Sequence, residues 1–300
     1  MDEALAWSAS ILGPVDVLSD HSKQHDDHES ATCRLRRPDG FCYLKVHENR
    51  SHWENEVHAY EQWAAAFGSF APRLIAVRTE EPLALIVSEL PGRIVEDLPL
   101  SPSRERLIWR RAGLALVPLH RMGMGGFFGP CRRDGSNAGG FVGDARQYVS
   151  RNFDRLMERA LQAGYLDQEE LATVRAAYAL IPAFEGEPPT PCHRDYCTAN
   201  WLINEDEEWN GIIDFEFACW DVRVADFSRD PSWAWFRRPD LVDAFFEGYG
   251  FSPTPAQERQ LLVARAEYAL GAIVWGHDNT FYGFEQEGRE SLAHLASLLR

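Results

Sequence analysis

Cys192-His193-Arg194-Asp195-Tyr196-Cys197-Thr198-Ala199-Asn200-Trp201-Leu202, followed by Gly211-Ile212-Ile213-Asp214-Phe215-Glu216, carries most of what this chain discloses. An aspartate stands at 195, an asparagine five residues later, and a second aspartate fourteen residues after that. The apolar run Gly211-Ile212-Ile213 reads as a short buried strand that delivers Asp214 at its end. One carboxylate can take a proton from a hydroxyl, while a carboxamide and a second carboxylate can hold Mg²⁺ on phosphate oxygens. Phosphoryl transfer needs positioning and charge neutralisation more than covalent help, and this trio offers both.

The surrounding sequence is organised to suit. An opening helix over residues 2–12 ends at Gly13-Pro14, and candidate strands follow at Val15–Leu18, Ala31–Leu35 and Phe41–Val46. Arg37-Pro38-Asp39-Gly40 joins the last two as a hairpin turn. Residues 53–66 read as a helix, and Ala84–Ser88 as a further strand broken by Glu89-Leu90-Pro91-Gly92. Beyond it the chain is mostly helical. Helices are expected from about Ser103 to Met122, with Pro118 disturbing the last turns, and from Asp144 to Ala163, stopped by Gly164. Asp167 with Glu170 makes a capping box, and Pro239 and Pro255 sit at helix starts, Pro255 behind Thr254 as N-cap. Residues 123–143 hold eight glycines and read as loop. The expected architecture is α+β and bilobal: a small antiparallel β-sheet lobe at 1–89 and a larger, mostly helical lobe at 90–300.

Lys45 lies on the third strand, on the face shared by Phe41 and Tyr43 and opposite Cys42, Leu44 and Val46. Its Tyr-Leu-Lys-Val setting suits a strand lysine that pairs nucleotide phosphates. Glu56, eleven residues on, is the partner expected to orient it, with Glu54 as the competing choice. His193 reads as a brace of its loop rather than a catalyst, and Asp226 as a second brace from a helix start; Asp221 stays ambiguous. The histidines of the polar stretch 20–29 suggest a solvated loop rather than a metal site, because no regular spacing converges them.

Composition narrows the function classes. Three hundred residues with 45% hydrophobic and 25% charged content suit a globular enzyme. Forty-six acids against 30 bases leave a net charge of −16, which disfavours nucleic acid as a partner. Six cysteines without zinc or C-x-x-C spacing read as reduced thiols, and no apolar run is long enough for a membrane span. A cytoplasmic location is expected, and no protein partner is implied.

At these residues the chain resembles the aminoglycoside phosphotransferase and choline kinase superfamily of small-molecule kinases, whose fold is protein-kinase-like. The resemblance rests on His193-Arg194-Asp195 to Asn200, Ile213-Asp214-Phe215-Glu216, Asp221 and Ala225-Asp226-Phe227, and is tightest over 193–226. Val87–Gly92 looks like the family hinge where backbone meets adenine, Leu119-His120 like its Leu-His helix end, and Glu56–Tyr60 like its lobe-joining helix. The resemblance implies Asp195 as catalytic base, Asn200 and Asp214 as Mg²⁺ ligands, and Lys45 and Glu56 with the hinge at Glu89 and Leu90 on the ATP or GTP side. Arg194 departs from the family's usual glycine, and no glycine stands in the phosphate-covering loop, whose backbone could reach phosphates through Ser19–Ser22. A protein kinase is set aside: the chain has no G-x-G-x-x-G, Asp-Phe-Gly or Ala-Pro-Glu element.

The acceptor is expected to be a small hydroxylated and cationic molecule, an antibiotic or related natural product. Trp233, Trp235, Phe236, Trp275, Asp278, Phe281, Tyr282, Glu285 and Glu287 are the aromatics and acids of the region that would bind it. The alternatives are a choline, ethanolamine or sugar kinase of primary metabolism, and a nucleotide-binding pseudokinase.

Overall fold

The computed structural model describes residues 1–20, 30–96, 98–229 and 234–299, with the side chain of Trp235 excepted. The histidines of the polar stretch and most of the glycine-free loop lie outside the described residues.

Period-2 alternation builds a five-stranded antiparallel sheet from β1 (Asp16–Asp20), β2 (Ser30–Arg37), β3 (Gly40–His47), β4 (Leu74–Arg78) and β5 (Leu83–Ser88), in the order β1-β2-β3-β5-β4. Arg37 pairs with Gly40, so Pro38-Asp39 form the two-residue hairpin turn. Cys33, Leu35, Cys42, Leu44, Val46, Ala84 and Ile86 bury one face under helix α1 (Asp2–Leu12), which contributes Ala4. Leu83, Leu85 and Val87 take the opposite face and join the main core with Trp53 and Val57 of α2 (Arg50–Gln62). Lys45 therefore points away from α1, towards α2.

Two elements differ from the expected pattern. β4 is absent from the sequence reading because its run Leu74-Ile75-Ala76-Val77 has no alternation; it is an edge strand, half-buried throughout. α2 begins three residues early because the Asn49 side chain accepts hydrogen bonds from the backbone N–H groups of Ser51 and His52, at 2.8 and 3.3 Å. It also stops at Gln62, giving way to 3₁₀ turns over Ala64–Phe70.

Helices dominate the rest: α3 (Pro102–His120), α4 (Ala145–Ala163), α5 (Gln168–Tyr178), the short α6 (Ala234–Arg237), α7 (Pro239–Tyr249), α8 (Pro255–Asp278) and α9 (Tyr282–Leu298). Pro118 lies in the last turn of α3, which ends two residues later. Asp144 caps α4 and Gly164 closes it in the left-handed conformation, φ 70°. The capping boxes Asp167–Glu170 and Thr254–Gln257 both form. α3 and α7 pack almost backbone to backbone: a Cβ on Gly248 would lie 1.8 Å from the Arg110 carbonyl oxygen. Short strands hold the loops between the helices: β6 (Arg93–Ile94), β8 (Trp201–Ile203) and β9 (Trp209–Ile212) form one sheet, and β7 (Thr190–Cys192) pairs with β10 (Cys219–Asp221). No helix among the described residues is long and apolar enough to cross a membrane.

Candidate active site

β7 and β8 bracket the loop 193–200, and β9 ends one residue before Ile213. The two quoted motifs are thereby brought side by side, with the Ile213 N–H donating to the Asn200 carbonyl at 3.0 Å. Asp226 organises the loop from below. Its buried carboxylate accepts the backbone N–H groups of His193 at 2.9 Å and Arg194 at 2.6 Å. His120 Nε2 holds the same carboxylate at 2.9 Å, and His120 is held in turn by the Tyr249 hydroxyl at 2.8 Å. Burial alone would raise the Asp226 carboxyl; its bonds to His120 and His193 overcome this and hold it below the usual aspartate value. His193 is buried and held below the usual histidine value by desolvation, against the pull of nearby carboxylates. Its neutral ring is placed to accept the Asp195 N–H at Nδ1, 3.3 Å away, and to donate from Nε2 to the Ile213 carbonyl at 3.2 Å. It braces the loop, as does Asp226.

Asp195 and Asn200 meet directly: the Asn200 amide donates to the Asp195 backbone carbonyl at 2.9 Å and to its Oδ2 at 2.8 Å. With its nitrogen so committed, Asn200 is left its amide oxygen to face a cation. Together with the Asp214 carboxylate it makes an all-oxygen donor set, which suits Mg²⁺. Asp214 sits at φ 66° and Arg194 at φ 69°, both in the left-handed region that non-glycine residues seldom occupy. Arg194 is retained here by an ion pair to the buried Asp221, which keeps its guanidinium firmly charged. Asp221, ambiguous in the sequence, also accepts from the Tyr148 hydroxyl at 3.1 Å.

Lys45 reaches the same place from the sheet. Its Nζ lies 3.1 Å from Glu56, 2.8 Å from Asp214 and 2.8 Å from Glu216. Burial would lower its pKa, but Asp214, Glu56 and Glu216 outweigh this and hold the ammonium well above the usual lysine value. Glu56 is the buried partner; Glu54 is partly exposed beside Arg132 and Arg133. Glu89 stands at the end of β5 with its carboxylate on Arg34 at 2.7 Å, and Leu90 is partly buried beside it.

Several residues around the loop are not singled out by the sequence pattern. Arg229 makes an ion pair through Nε with Asp195. A cavity of about 540 Å³ opens beside Asp195, walled by Tyr148, Asn152 and Arg155 of α4 and by Glu267 and Tyr268 of α8. The i, i+4, i+7 spacing of the α4 trio was the available clue. Of the residues expected to bind an acceptor, Glu287 lines a neighbouring cavity of about 450 Å³ with Cys197 and Arg229. Asp278 is instead paired with Arg159 and Glu285 with Arg289, while Trp275, Phe281 and Tyr282 are exposed. Phe236 packs against His294. Trp233 and the Trp235 side chain lie outside the described residues. All six cysteines are buried, and none forms a disulfide.

A strand lysine, its helix glutamate and an Asp-x-x-x-x-Asn loop joined across an α+β fold place the molecule in the kinase-like class of phosphoryl-transfer proteins. The sequence pattern of the phosphotransferase enzyme family matches residues 23–261, and the chain belongs to that family; it is an enzyme of the small-molecule kinase class. Solved structures show the same fold. An apo thermostable mutant of aminoglycoside phosphotransferase APH(4)-Ia matches with TM-score 0.74 at 15% identity, over 99% of this chain and 98% of that one. A ternary complex of a related mutant with ADP and hygromycin B matches at 0.73 and 14%, over 97% of each chain. The GDP complex of aminoglycoside 2'-phosphotransferase-IIIa matches at 0.69 and 12%, over 98% of each. No curated protein matches the chain.

Proposed function

We propose that this protein is an ATP- and Mg²⁺-dependent O-phosphotransferase acting on a hydroxyl of a small amine-bearing molecule, an aminoglycoside-like antibiotic or related natural product. The observation that carries this reading is the convergence of Asp195, Asn200, Asp214 and Lys45, which come from three separate stretches of chain, around one loop. The acceptor hydroxyl docks against Asp195 in the 540 Å³ cavity. As its oxygen attacks the γ-phosphorus, the bond to the ADP oxygen breaks and the hydroxyl proton passes to the Asp195 carboxylate. Lys45, oriented by Glu56, faces the nucleotide phosphates, and the hinge at Glu89–Leu90 offers backbone to the base of ATP or GTP. Mg²⁺ held by Asn200 and Asp214 would supply charge neutralisation at those phosphates.

The same reading divides the chain into a nucleotide lobe, 1–89, and an acceptor lobe, 90–300, and places the enzyme in the cytoplasm. ADP- and hygromycin-bound relatives of the same fold support a nucleotide donor and a small cationic acceptor. The test is ADP release with Mg²⁺–ATP across aminoglycosides, other amine-bearing antibiotics, choline, ethanolamine and amino sugars. Turnover with one class should fall by roughly 10²–10⁴-fold in Asp195→Asn while ATP affinity is kept. An unimpaired variant would remove Asp195 from the role of base.

A further inference from the structure

The cavity beside Asp195 is not the acid-lined pocket that a polyamine acceptor calls for. Four carboxylates and three arginines line it: Asp195, Glu216, Asp221 and Glu267 against Arg155, Arg194 and Arg229. Three of the carboxylates already hold a cation, Asp195 with Arg229, Glu216 with Lys45, and Asp221 with Arg194. Glu267 is the exception, with no ion pair among the described residues. Ala264, Gly271 and Ala272 line the same cavity from α8.

We infer that the acceptor carries a single amine, taken by Glu267, and that the arginines of the same cavity exclude polyamines. This rests on the phosphotransferase reading and narrows its acceptor class, from aminoglycoside-like molecules with several amines to related natural products that carry one. A second ammonium in the cavity would meet Arg155, Arg194 or Arg229, while Asp195 and Asp221 already hold arginines and Glu216 shares Lys45 with Glu56 and Asp214; a desolvated cation without a full partner binds poorly. A charge-assisted bond to one carboxylate fixes one amine and leaves the hydroxyls free to face Asp195. Tyr148 and Tyr268 add aromatic walls for the apolar parts of the ligand. Burial pushes the Glu267 carboxyl up to about 7, with Arg194 of the catalytic loop and Arg155 of α4 opposing and Asp221 of β10 reinforcing the rise. The raised carboxyl is therefore more readily protonated than an ordinary glutamate, and amine binding should favour loss of its proton.

Wild type, Glu267→Gln and Glu267→Asp are compared in ADP release and in calorimetric binding, using amino alcohols and amino sugars with one amine and aminoglycosides with several. The expected result is turnover of a monoamine acceptor, with kcat/KM for polyamines at least roughly tenfold lower. In Glu267→Gln the acceptor KM should rise by about tenfold or more, with the ATP KM unchanged and partial rescue by Glu267→Asp. Proton release on binding at pH 7, read from the buffer dependence of the heat, should vanish in Glu267→Gln. Efficient polyamine turnover, or an acceptor KM indifferent to Glu267→Gln, overturns the inference while leaving the kinase reading intact. Absence of Asp195-dependent ADP release with every acceptor is the different signature of a failed kinase reading. In that case the binding arm decides: monoamine affinity indifferent to Glu267→Gln, or no binding at all, overturns the role of Glu267.

Discussion

Replacing Asp226 with alanine tests whether the catalytic loop is held from below. The carboxylate is fully enclosed and accepts three hydrogen bonds, from the N–H groups of His193 and Arg194 and from His120. Alanine strands both backbone donors in a dry site. Each orphaned donor costs about 1–3 kcal/mol, so the pair costs roughly 2–6 kcal/mol before His120 is counted. At about 2 °C per kcal/mol for a chain of this size, Tm should fall by roughly 4–12 °C. Asp195 is the next residue after the two donors, and a shift of an ångström there costs on the order of 10²-fold in rate. Asparagine can serve one donor but turns its own N–H₂ towards another, so Asp226→Asn should fall between wild type and alanine. Differential scanning calorimetry gives the stability and steady-state ADP release the rate. An Asp226→Ala enzyme melting within about 2 °C of wild type and turning over at a similar kcat would refute the brace.

Other expectations follow from the same geometry. Lys45→Met leaves Glu56, Asp214 and Glu216 facing one another without their shared cation; kcat/KM for ATP should drop by roughly 10²–10³-fold, and a drop in acceptor affinity alone would count against the assignment. Gly248→Ala drives a methyl group into the Arg110 carbonyl on the facing helix; a urea midpoint should reveal a loss of at least about 1–3 kcal/mol. His193 is held below its ordinary pKa, so the folded state binds fewer protons than the unfolded state as pH falls. The stability due to its neutral form is complete above about pH 6.5 and is lost progressively below that value. Denaturation midpoints at pH 7.5, 6.5 and 5.5 should decline in that order, and an equal set would show that His193 does not titrate as assigned.

The local features of this fold are written in short-range chemistry. Alternation at Phe41–Val46 sets Lys45 against the apolar face of its strand, and the Asp167–Glu170 and Thr254–Gln257 boxes start their helices where the residue types require. Asp195, Asn200 and Asp214 stand out in the sequence through their spacing around one turn and one strand end, and the fold brings Asp195 and Asn200 into contact. β4 does not stand out, because an edge strand without alternation looks like any short apolar run. The sequence offers both Glu54 and Glu56 to Lys45, and only the burial of one helix face decides between them.

The acceptor side shows where reading along the chain runs out. Asp278 and Glu285 look like amine-binding acids in sequence, yet Arg159 and Arg289, distant or on the next turn, already neutralise them. Glu267, Arg155 and Arg229 gave no sign of belonging together, since α4, α8 and the segment after Asp226 meet only through packing. Motif spacing determines which groups can do phosphoryl transfer, because covalent geometry fixes distances over a few residues. Which carboxylates are already neutralised is set by ion pairs between remote segments, and those exist only once the chain has folded.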